Sequence, residues 1–184
     1  MKIAVHITFF FVESRLRYFQ QVVENFEQLP HQVYFFIYTN EEFEIPLHAK
    51  NIQCKVYGYK KWGLFGYNGG IWGKLGLTAV VHPYYLTWEN RKIVEETIND
   101  FDVQVYIEDD IAFDINTLNY WIDNKDICLS NQYNLGFLRI EFDNDSQAYF
   151  TDLVSWPQNT IEIDGQFFLV NDVNPYCGFW IEVS

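Results

Sequence analysis

The first sixty residues alternate between short apolar runs and one segment of helical periodicity. Residues 2–12, 33–38 and 52–59 are rich in β-formers, and each is typical of a strand, the first two buried on both faces. Between these two buried runs, the apolar side chains fall at helical spacing: Leu16, Phe19, Val22, Val23, Phe26 and Leu29. Ser14 is a candidate cap for this helix, and Pro30 ends it. The strand–helix–strand order predicts parallel strands with helices on the faces of the sheet.

The remaining elements continue this alternation. They are a helix over about 87–100, a strand that starts at residue 102 and runs into the carboxylates at 108–110, a helix capped by Asp114, a strand over 135–142, a hairpin over 160–170 turning at Asp164-Gly165, and a strand over 176–183. We predict a single α/β domain over residues 1–184. Its mixed, mostly parallel central sheet would be flanked by helices, with a small hairpin region towards the C-terminus.

The charge of the chain is unevenly distributed along its 184 residues. Residues 1–92 carry ten Lys and Arg against seven Asp and Glu, a balance of +3. Residues 93–184 carry two basic residues against eighteen acidic ones, a balance of −16, so the whole chain has a formal charge of −13. Such acidity argues against nucleic-acid binding, because that requires basic surface.

The sequence also disfavours membrane-spanning and disulfide-rich classes of protein. No apolar run has the length of a transmembrane helix, and the apolar N-terminal segment meets Glu13 and Arg15 without a small-residue cleavage site. Cys54, Cys128 and Cys177 are odd in number and widely spaced, which fits buried thiols in a reducing compartment. We therefore expect no integral membrane segment and a cytoplasmic location.

A glycine-rich segment interrupts the regular elements. Six of the ten glycines lie between Gly63 and Gly76, interleaved with Trp62 and Trp72 among other aromatic residues. Regular secondary structure does not tolerate this glycine density. The segment is either a long ordered loop without chemistry or a flap whose aromatic rings cover a site.

The predicted strand that starts at residue 102 runs directly into three consecutive carboxylates. Glu108, Asp109 and Asp110 come directly after an apolar run, which indicates a central strand, and ligands of open α/β sheets bind beyond the carboxyl ends of such strands. A divalent cation would relieve their mutual repulsion, and oxygen ligands favour Mg²⁺ or Mn²⁺. If the extended backbone persists, Glu108 and Asp110 share a face. The alternative is a solvated strand end without a metal.

Several segments together resemble a known family. The Glu108-Asp109-Asp110 motif after a strand–helix–strand opening resembles the DxD motif of GT-A glycosyltransferases, which use nucleotide-diphosphate sugars. The ordered segments that resemble one group of this family are His82-Pro83-Tyr84-Tyr85-Leu86-Thr87-Trp88, Tyr106 to Ile111, Gly136 to Glu141, and Asn174-Pro175-Tyr176. They cover residues 82–176, whereas the N-terminal part resembles the family only in its order of elements.

The resemblance implies roles for the matching positions. Asp110 would bind Mn²⁺ or Mg²⁺, Glu108 would lie near the ribose or the base, and Asp109 would lie near the diphosphate and the sugar. Thr8 and the loop that leads to Arg15 would contact the nucleotide. Residues 1–92 would form the nucleotide-facing half, and residues 93–184 the half that binds the metal and the acceptor.

Cations and a general base complete this hypothesis. Arg15, Arg91 or Lys74 would assist the leaving phosphate, because the basic residues lie in the half expected to meet the nucleotide; the alternative for each is a solvated surface cation. In an inverting enzyme a carboxylate deprotonates the acceptor hydroxyl, and we favour Asp152, then Glu141, which interrupts an apolar strand and suggests a pocket.

The function predicted from the sequence is metal-dependent transfer of a sugar from a nucleotide-diphosphate sugar to a hydroxyl of a glycan or other acceptor. The alternative, which the loop aromatics and the acidic second half would suit, is a non-catalytic module that binds carbohydrate or Ca²⁺.

Overall fold

The computed structural model describes residues 1–45, 51–57, 83–150, 157–172 and 179–183. The chain forms two compact units. The first comprises Met1–Ala112 together with Ile181–Ser184, and the second comprises Phe113–Trp180. The single domain over residues 1–184 stays a prediction. Within the described ranges, no helix combines the length and apolar character needed to cross a membrane.

Four parallel strands form the centre of the first unit. They are β1 (Lys2–Phe9), β2 (Gln32–Thr39), β3 (Ile52–Val56) and β4 (Val103–Glu108). β1 pairs in parallel with both β2 and β4, and β2 pairs in parallel with β3. The sheet order is β3-β2-β1-β4, and the last strand of the chain (Phe179–Val183) lies beside β4. The predicted parallel α/β sheet is therefore confirmed.

One face of the sheet is covered by α1 (Leu16–Glu27), which buries Phe19, Val22, Val23 and Phe26, as its periodicity predicts. The Phe19 ring stacks on Phe9 of β1, with ring centroids 4.8 Å apart. The predicted Ser14 cap is wrong. Ser14 lies inside a 3₁₀ turn (Glu13–Arg15), so the cap position of α1 falls on Arg15, whose side chain makes no capping bond.

The opposite face of the sheet packs against a 3₁₀ helix (Pro83–Trp88) and α2 (Asn90–Thr97). Leu86 and Ile93 from these elements form a buried cluster with Ala4, Phe36 and Tyr38. The predicted continuous helix over 87–100 is thus wrong in extent, because its first turn belongs to the 3₁₀ helix and α2 ends at Thr97.

A chain of polar side chains crosses this face of the sheet. His6 of β1 lies between Tyr38 of β2 and Gln104 of β4, and all three side chains are buried. The Tyr38 hydroxyl donates to Nδ1 of His6 at 2.8 Å, and Nε2 of His6 donates to Oε1 of Gln104 at 2.7 Å. Burial lowers the pKa of His6 to about 4 despite the bond to Gln104. The imidazole is therefore neutral at physiological pH.

Two of the strands, β1 and β3, end earlier than predicted. β1 stops at Phe9 rather than residue 12, and the Phe11 N–H donates to Oδ1 of Asn40 at 2.6 Å instead of entering the sheet ladder. β3 ends at Val56 rather than residue 59. β4 ends at Glu108, the first of the three carboxylates into which the predicted strand runs, and residues 109–110 form a turn in which the Ile111 N–H approaches the Glu108 carbonyl at 3.4 Å.

The second unit contains α3 (Ile115–Ser130) and two antiparallel ribbons. Asp114 caps α3 as predicted, accepting from the Thr117 N–H at 2.8 Å. The first ribbon pairs β5 (Ile140–Phe142) with β6 (Ala148–Phe150), so the strand predicted over 135–142 is shortened to its last three residues. The predicted hairpin is confirmed: β7 (Asn159–Ile163) and β8 (Gln166–Val170) are joined by Asp164 and Gly165, both with positive φ. The terminal strand, β9, spans Phe179–Val183, and residues 176–178 of the predicted strand lie outside the described residues.

Candidate functional site at the carboxyl end of the sheet

The strand order creates a topological switch point between β1 and β4. From β1 the chain proceeds in one direction to β2 and β3, whereas β4 lies on the other side of β1. Open α/β sheets bind ligands at the carboxyl ends of the strands on either side of such a point. Thr8 of β1 is in register with Glu108 of β4 at this point. The predicted acidic motif therefore lies where the fold favours a site.

An ion-pair cluster joins the ends of these two strands. Arg15 donates from Nε to Oδ2 of Asp109 and from Nη2 to Oδ1 of Asp109, both at 2.9 Å. Nη2 also donates to Oδ2 of Asp110 at 2.9 Å. The two parallel bonds to Asp109 are the planar, bidentate geometry that an arginine fork favours. The cluster fixes the start of α1 to the turn that follows β4.

Burial differs sharply within this cluster. The Asp109 side chain is 6% exposed, whereas the side chains of Arg15 and Asp110 are each 40% exposed. Burial raises the pKa of Asp109 to about 7, the Arg15 guanidinium opposes that rise, and the Asp110 carboxylate adds to it. Above pH 7 Asp109 is thus ionised and held by Arg15, while Asp110 faces water.

The turn changes which carboxylates lie together. Strand alternation predicts that Glu108 and Asp110 share a face, with Asp109 on the other. Residues 109–110 leave the strand, however, and Arg15 holds Asp109 and Asp110 side by side. The expected grouping of Glu108 with Asp110 depended on extended geometry that ends at Glu108.

The carboxylates at this edge fit a divalent cation that is also coordinated by the phosphates of a substrate. Within the described ranges, no group of three or more His, Cys, Asp or Glu side chains is placed to hold a metal. Mg²⁺ in nucleotide sites nevertheless often uses one or two carboxylates together with substrate phosphates. Asp110 suits that role, since its Oδ1 has no hydrogen-bond partner in the described part of the chain and the side chain is 40% exposed.

Thr8 contributes a buried hydroxyl beside the motif. Its residue exposure is 7%, and Oγ1 has no hydrogen-bond partner among the residues that the structure describes. Buried hydroxyls normally find a partner, so an unsatisfied one at a switch point is a candidate ligand contact. Asn40 is a further buried polar residue of this edge, and it holds the chain after β1 through its bond to Phe11.

The other predicted site residues lie elsewhere or outside the described ranges. Arg91 on α2 stacks over Trp88, 4.4 Å from the ring centroid to the guanidinium carbon. Glu141 belongs to the second unit and pairs with Arg139 at 3.1 Å. All three β5 side chains are exposed, so the described residues around Glu141 do not enclose the pocket that the sequence suggests. Asp152 and Lys74 lie outside the described residues.

Sequence inspection missed three contacts, two at this edge and one within the sheet. The Arg15–Asp109 pair joins residues 94 apart in the chain, and no local pattern reveals it. The contact of Asn40 with Phe11 could have been suspected, since a polar residue directly after a buried strand lies at the same edge as the acidic motif. His6 and Gln104 are polar residues within two apolar strands. A polar residue in each of two neighbouring buried strands is the sequence feature that could have suggested their bond.

A surface depression of about 650 Å³ lies at the opposite edge of the sheet, by Met1, Gln32 and Asp102. These residues mark the amino ends of β1, β2 and β4, where open α/β sheets do not bind their ligands. The chemistry of the carboxyl edge makes it the stronger candidate.

Comparisons with family models, with curated proteins and with solved structures returned no match for this chain. Function is therefore inferred from the carboxyl edge of the sheet and from the ordered sequence segments.

Proposed function

We propose that this chain is a metal-dependent glycosyltransferase of the GT-A type, moving a sugar from a nucleotide-diphosphate sugar to a hydroxyl of a glycan or other acceptor. The observation that carries the proposal is the position of Asp109 and Asp110, directly after a central parallel strand and beside the β1–β4 switch point. An anionic donor needs a cation at such an acidic edge, and the motif supplies ligands for one.

Asp110 is the metal-binding residue in this proposal. Mn²⁺ or Mg²⁺ bound there would stabilise the negative charge that develops on the leaving diphosphate. Asp110 provides an oxygen without a described partner and a half-exposed side chain, so its carboxylate reaches a hydrated ion without unfolding of the turn.

The donor nucleotide would bind along the ends of β1 and β4. The Thr8 hydroxyl supplies an unsatisfied buried donor and acceptor, and Glu108 lies opposite it in the sheet register, so both suit the ribose or base. Arg15 suits the diphosphate, since a guanidinium matches phosphoryl oxygens. Arg91 stays a proposed surface cation for the donor, beside the exposed ring of Trp88.

A carboxylate of the second half would deprotonate the acceptor hydroxyl if transfer inverts the anomeric centre. Asp152 remains the first candidate for this base and Glu141 the second. Glu141 is exposed and paired with Arg139, so it would have to exchange that partner for the acceptor.

A thermal-shift screen tests the proposal. Nucleotide sugars should raise Tm by more in Mn²⁺ than in EDTA, because the site with its cation binds the diphosphate of the donor more tightly. Asp110→Asn should remove the Mn²⁺-dependent part of the shift. Asp123→Asn is the matched control, since it removes one exposed carboxylate from α3 without touching the motif. Equal shifts in EDTA, or in Asp110→Asn, would contradict the metal role.

One observation favours a second candidate, a non-catalytic carbohydrate-binding module. Phe142 and Phe167 in the two ribbons of the second unit are 69% and 72% exposed, and exposed aromatic rings suit sugar stacking. That candidate predicts that free glycans bind without nucleotide or metal and that Phe167→Ala weakens them. Nucleotide-sugar turnover would exclude it.

We also propose a cytoplasmic location. Cys54 and Cys128 are free thiols in the structure, as a reducing compartment favours.

A further inference from the structure

Arg15 is anchored on one side and open on the other. Its Nε and Nη2 atoms are bound to Asp109, whereas Nη1 has no hydrogen-bond partner in the described ranges. The Arg15 side chain is 40% exposed. An arginine presents five donors in a fixed fork, and fixing one edge therefore fixes the direction of the other.

Asp109 is fully engaged in the ion pair with Arg15. Both of its carboxylate oxygens accept from Arg15, and its side chain is almost fully buried. It is therefore poorly placed to bind a sugar or a hydrated metal ion. Asp110 accepts one bond from Arg15 and keeps its other oxygen available.

The number of bonds from Arg15 separates the same two roles. Arg15 donates two bonds to Asp109 and one to Asp110. A divalent cation at Asp110 competes with Nη2 of Arg15 for that carboxylate.

We infer that Asp109 is a positioning residue: it holds Arg15 so that the free Nη1 edge binds a phosphoryl group. Arg15 then releases its bond to Asp110, and the Asp110 carboxylate binds the divalent cation. The inference rests on the proposed function for the identity of the ligand, a diphosphate. In this inference Asp109 does not contact the substrate; it orients Arg15, which makes that contact.

Inorganic pyrophosphate is the probe, titrated calorimetrically at pH 8 in EDTA against wild type, Arg15→Gln, Asp109→Asn and Asp110→Asn. Asp109→Asn and Asp110→Asn remove the same charge from the same turn, so each is the control for the other. Simple electrostatics predicts tighter pyrophosphate binding in both variants. Positioning predicts that Asp109→Asn binds about 10- to 100-fold more weakly, as Arg15→Gln does, because a charge-assisted bond is lost. Asp110→Asn should bind at least as tightly as wild type.

Two further readouts complete the test. Mn²⁺ affinity, measured by electron paramagnetic resonance without pyrophosphate, should be lost in Asp110→Asn, persist in Asp109→Asn and rise in Arg15→Gln. In the double variant Arg15→Gln/Asp109→Asn, the second substitution should weaken pyrophosphate binding no further than Arg15→Gln alone. Undiminished pyrophosphate binding by Asp109→Asn, loss of Mn²⁺ by that variant, or no pyrophosphate binding by wild type would overturn the inference.

Should the buried Asp109→Asn substitution prevent folding, Arg15→Lys provides the test. Lysine keeps the charge but cannot hold Asp109 with two parallel bonds and offer a third donor edge. Pyrophosphate binding by Arg15→Lys should therefore fall nearly as far as in Arg15→Gln, and wild-type affinity would overturn the inference. Failure of the glycosyltransferase proposal is separately visible: nucleotide sugars would give no Mn²⁺-dependent shift while the Arg15 and Asp109 effects on pyrophosphate persisted.

Discussion

Acidification should destabilise the fold through His6. The pKa of His6 is lowered from 6.5 to about 4 because the folded protein buries the imidazole. The unfolded chain thus binds a proton near pH 6.5, whereas the folded chain resists it until about pH 4. The stability associated with neutral His6 is complete above pH 6.5 and is lost as the pH falls towards 4.

The magnitude follows from the difference between the two pKa values. A pKa difference of about 2.5 corresponds to about 3 kcal/mol lost in full below pH 4, of which about 2 kcal/mol is lost between pH 7 and pH 5. Asp109 acts in the opposite direction, because its pKa is raised in the folded state and its protonation favours folding. The His6 contribution must therefore be isolated by difference.

Urea unfolding from pH 7.5 to pH 4.5 of wild type and His6→Gln makes this separation. Glutamine offers hydrogen-bonding groups to Tyr38 and Gln104 but does not titrate, so it should cost about 1–3 kcal/mol at pH 7 and lose less stability on acidification. The two stability curves should converge by about 2 kcal/mol between pH 7 and pH 5. His31→Asn serves as the control, since His31 lies outside the buried network.

Parallel curves for wild type and His6→Gln would refute the reasoning. So would a titration of the His6 ring, followed by nuclear magnetic resonance, with a midpoint above pH 6.

Three other substitutions have defined expectations. Asp114→Ala should lower stability by about 1 kcal/mol, because it removes the cap of α3, and chemical denaturation measures this; no change would contradict the capping role. Gly165→Ala should cost about 1 kcal/mol by the same assay, since φ at Gly165 is +79°, whereas an unchanged midpoint would exclude backbone strain there. Thr8→Val should leave Tm unchanged or higher, because the buried hydroxyl has no described partner, yet weaken nucleotide-sugar binding; loss of stability without loss of binding would assign Thr8 to the core.

Elements with strong local periodicity could be predicted from the sequence. The apolar spacing from Phe19 to Phe26 predicts the buried face of α1, and the Asp164-Gly165 pair predicts the hairpin turn. The residues at which strands end were harder to predict, because they depend on contacts with residues distant in the chain. Asn40 captures the Phe11 N–H and coincides with the end of β1.

The candidate site was predictable in place but not in pairing. An apolar strand running into Glu108-Asp109-Asp110 identifies the edge where ligands bind. The sequence does not reveal that the strand ends at Glu108, or that Arg15 joins Asp109 to Asp110. Those features depend on the turn after β4 and on a contact between residues far apart in the chain.

Sugar transfer itself tests the central claim most directly. The measurement is release of nucleotide diphosphate from a panel of nucleotide sugars, with Mn²⁺ and a mixture of glycan acceptors, by wild type, Asp110→Asn and the control Asp123→Asn. Wild type and Asp123→Asn should release diphosphate from at least one donor, and Asp110→Asn should be slower by about 100-fold or more, the scale expected when charge stabilisation at the leaving group is lost. No release from any donor, or equal rates for wild type and Asp110→Asn, would contradict the account.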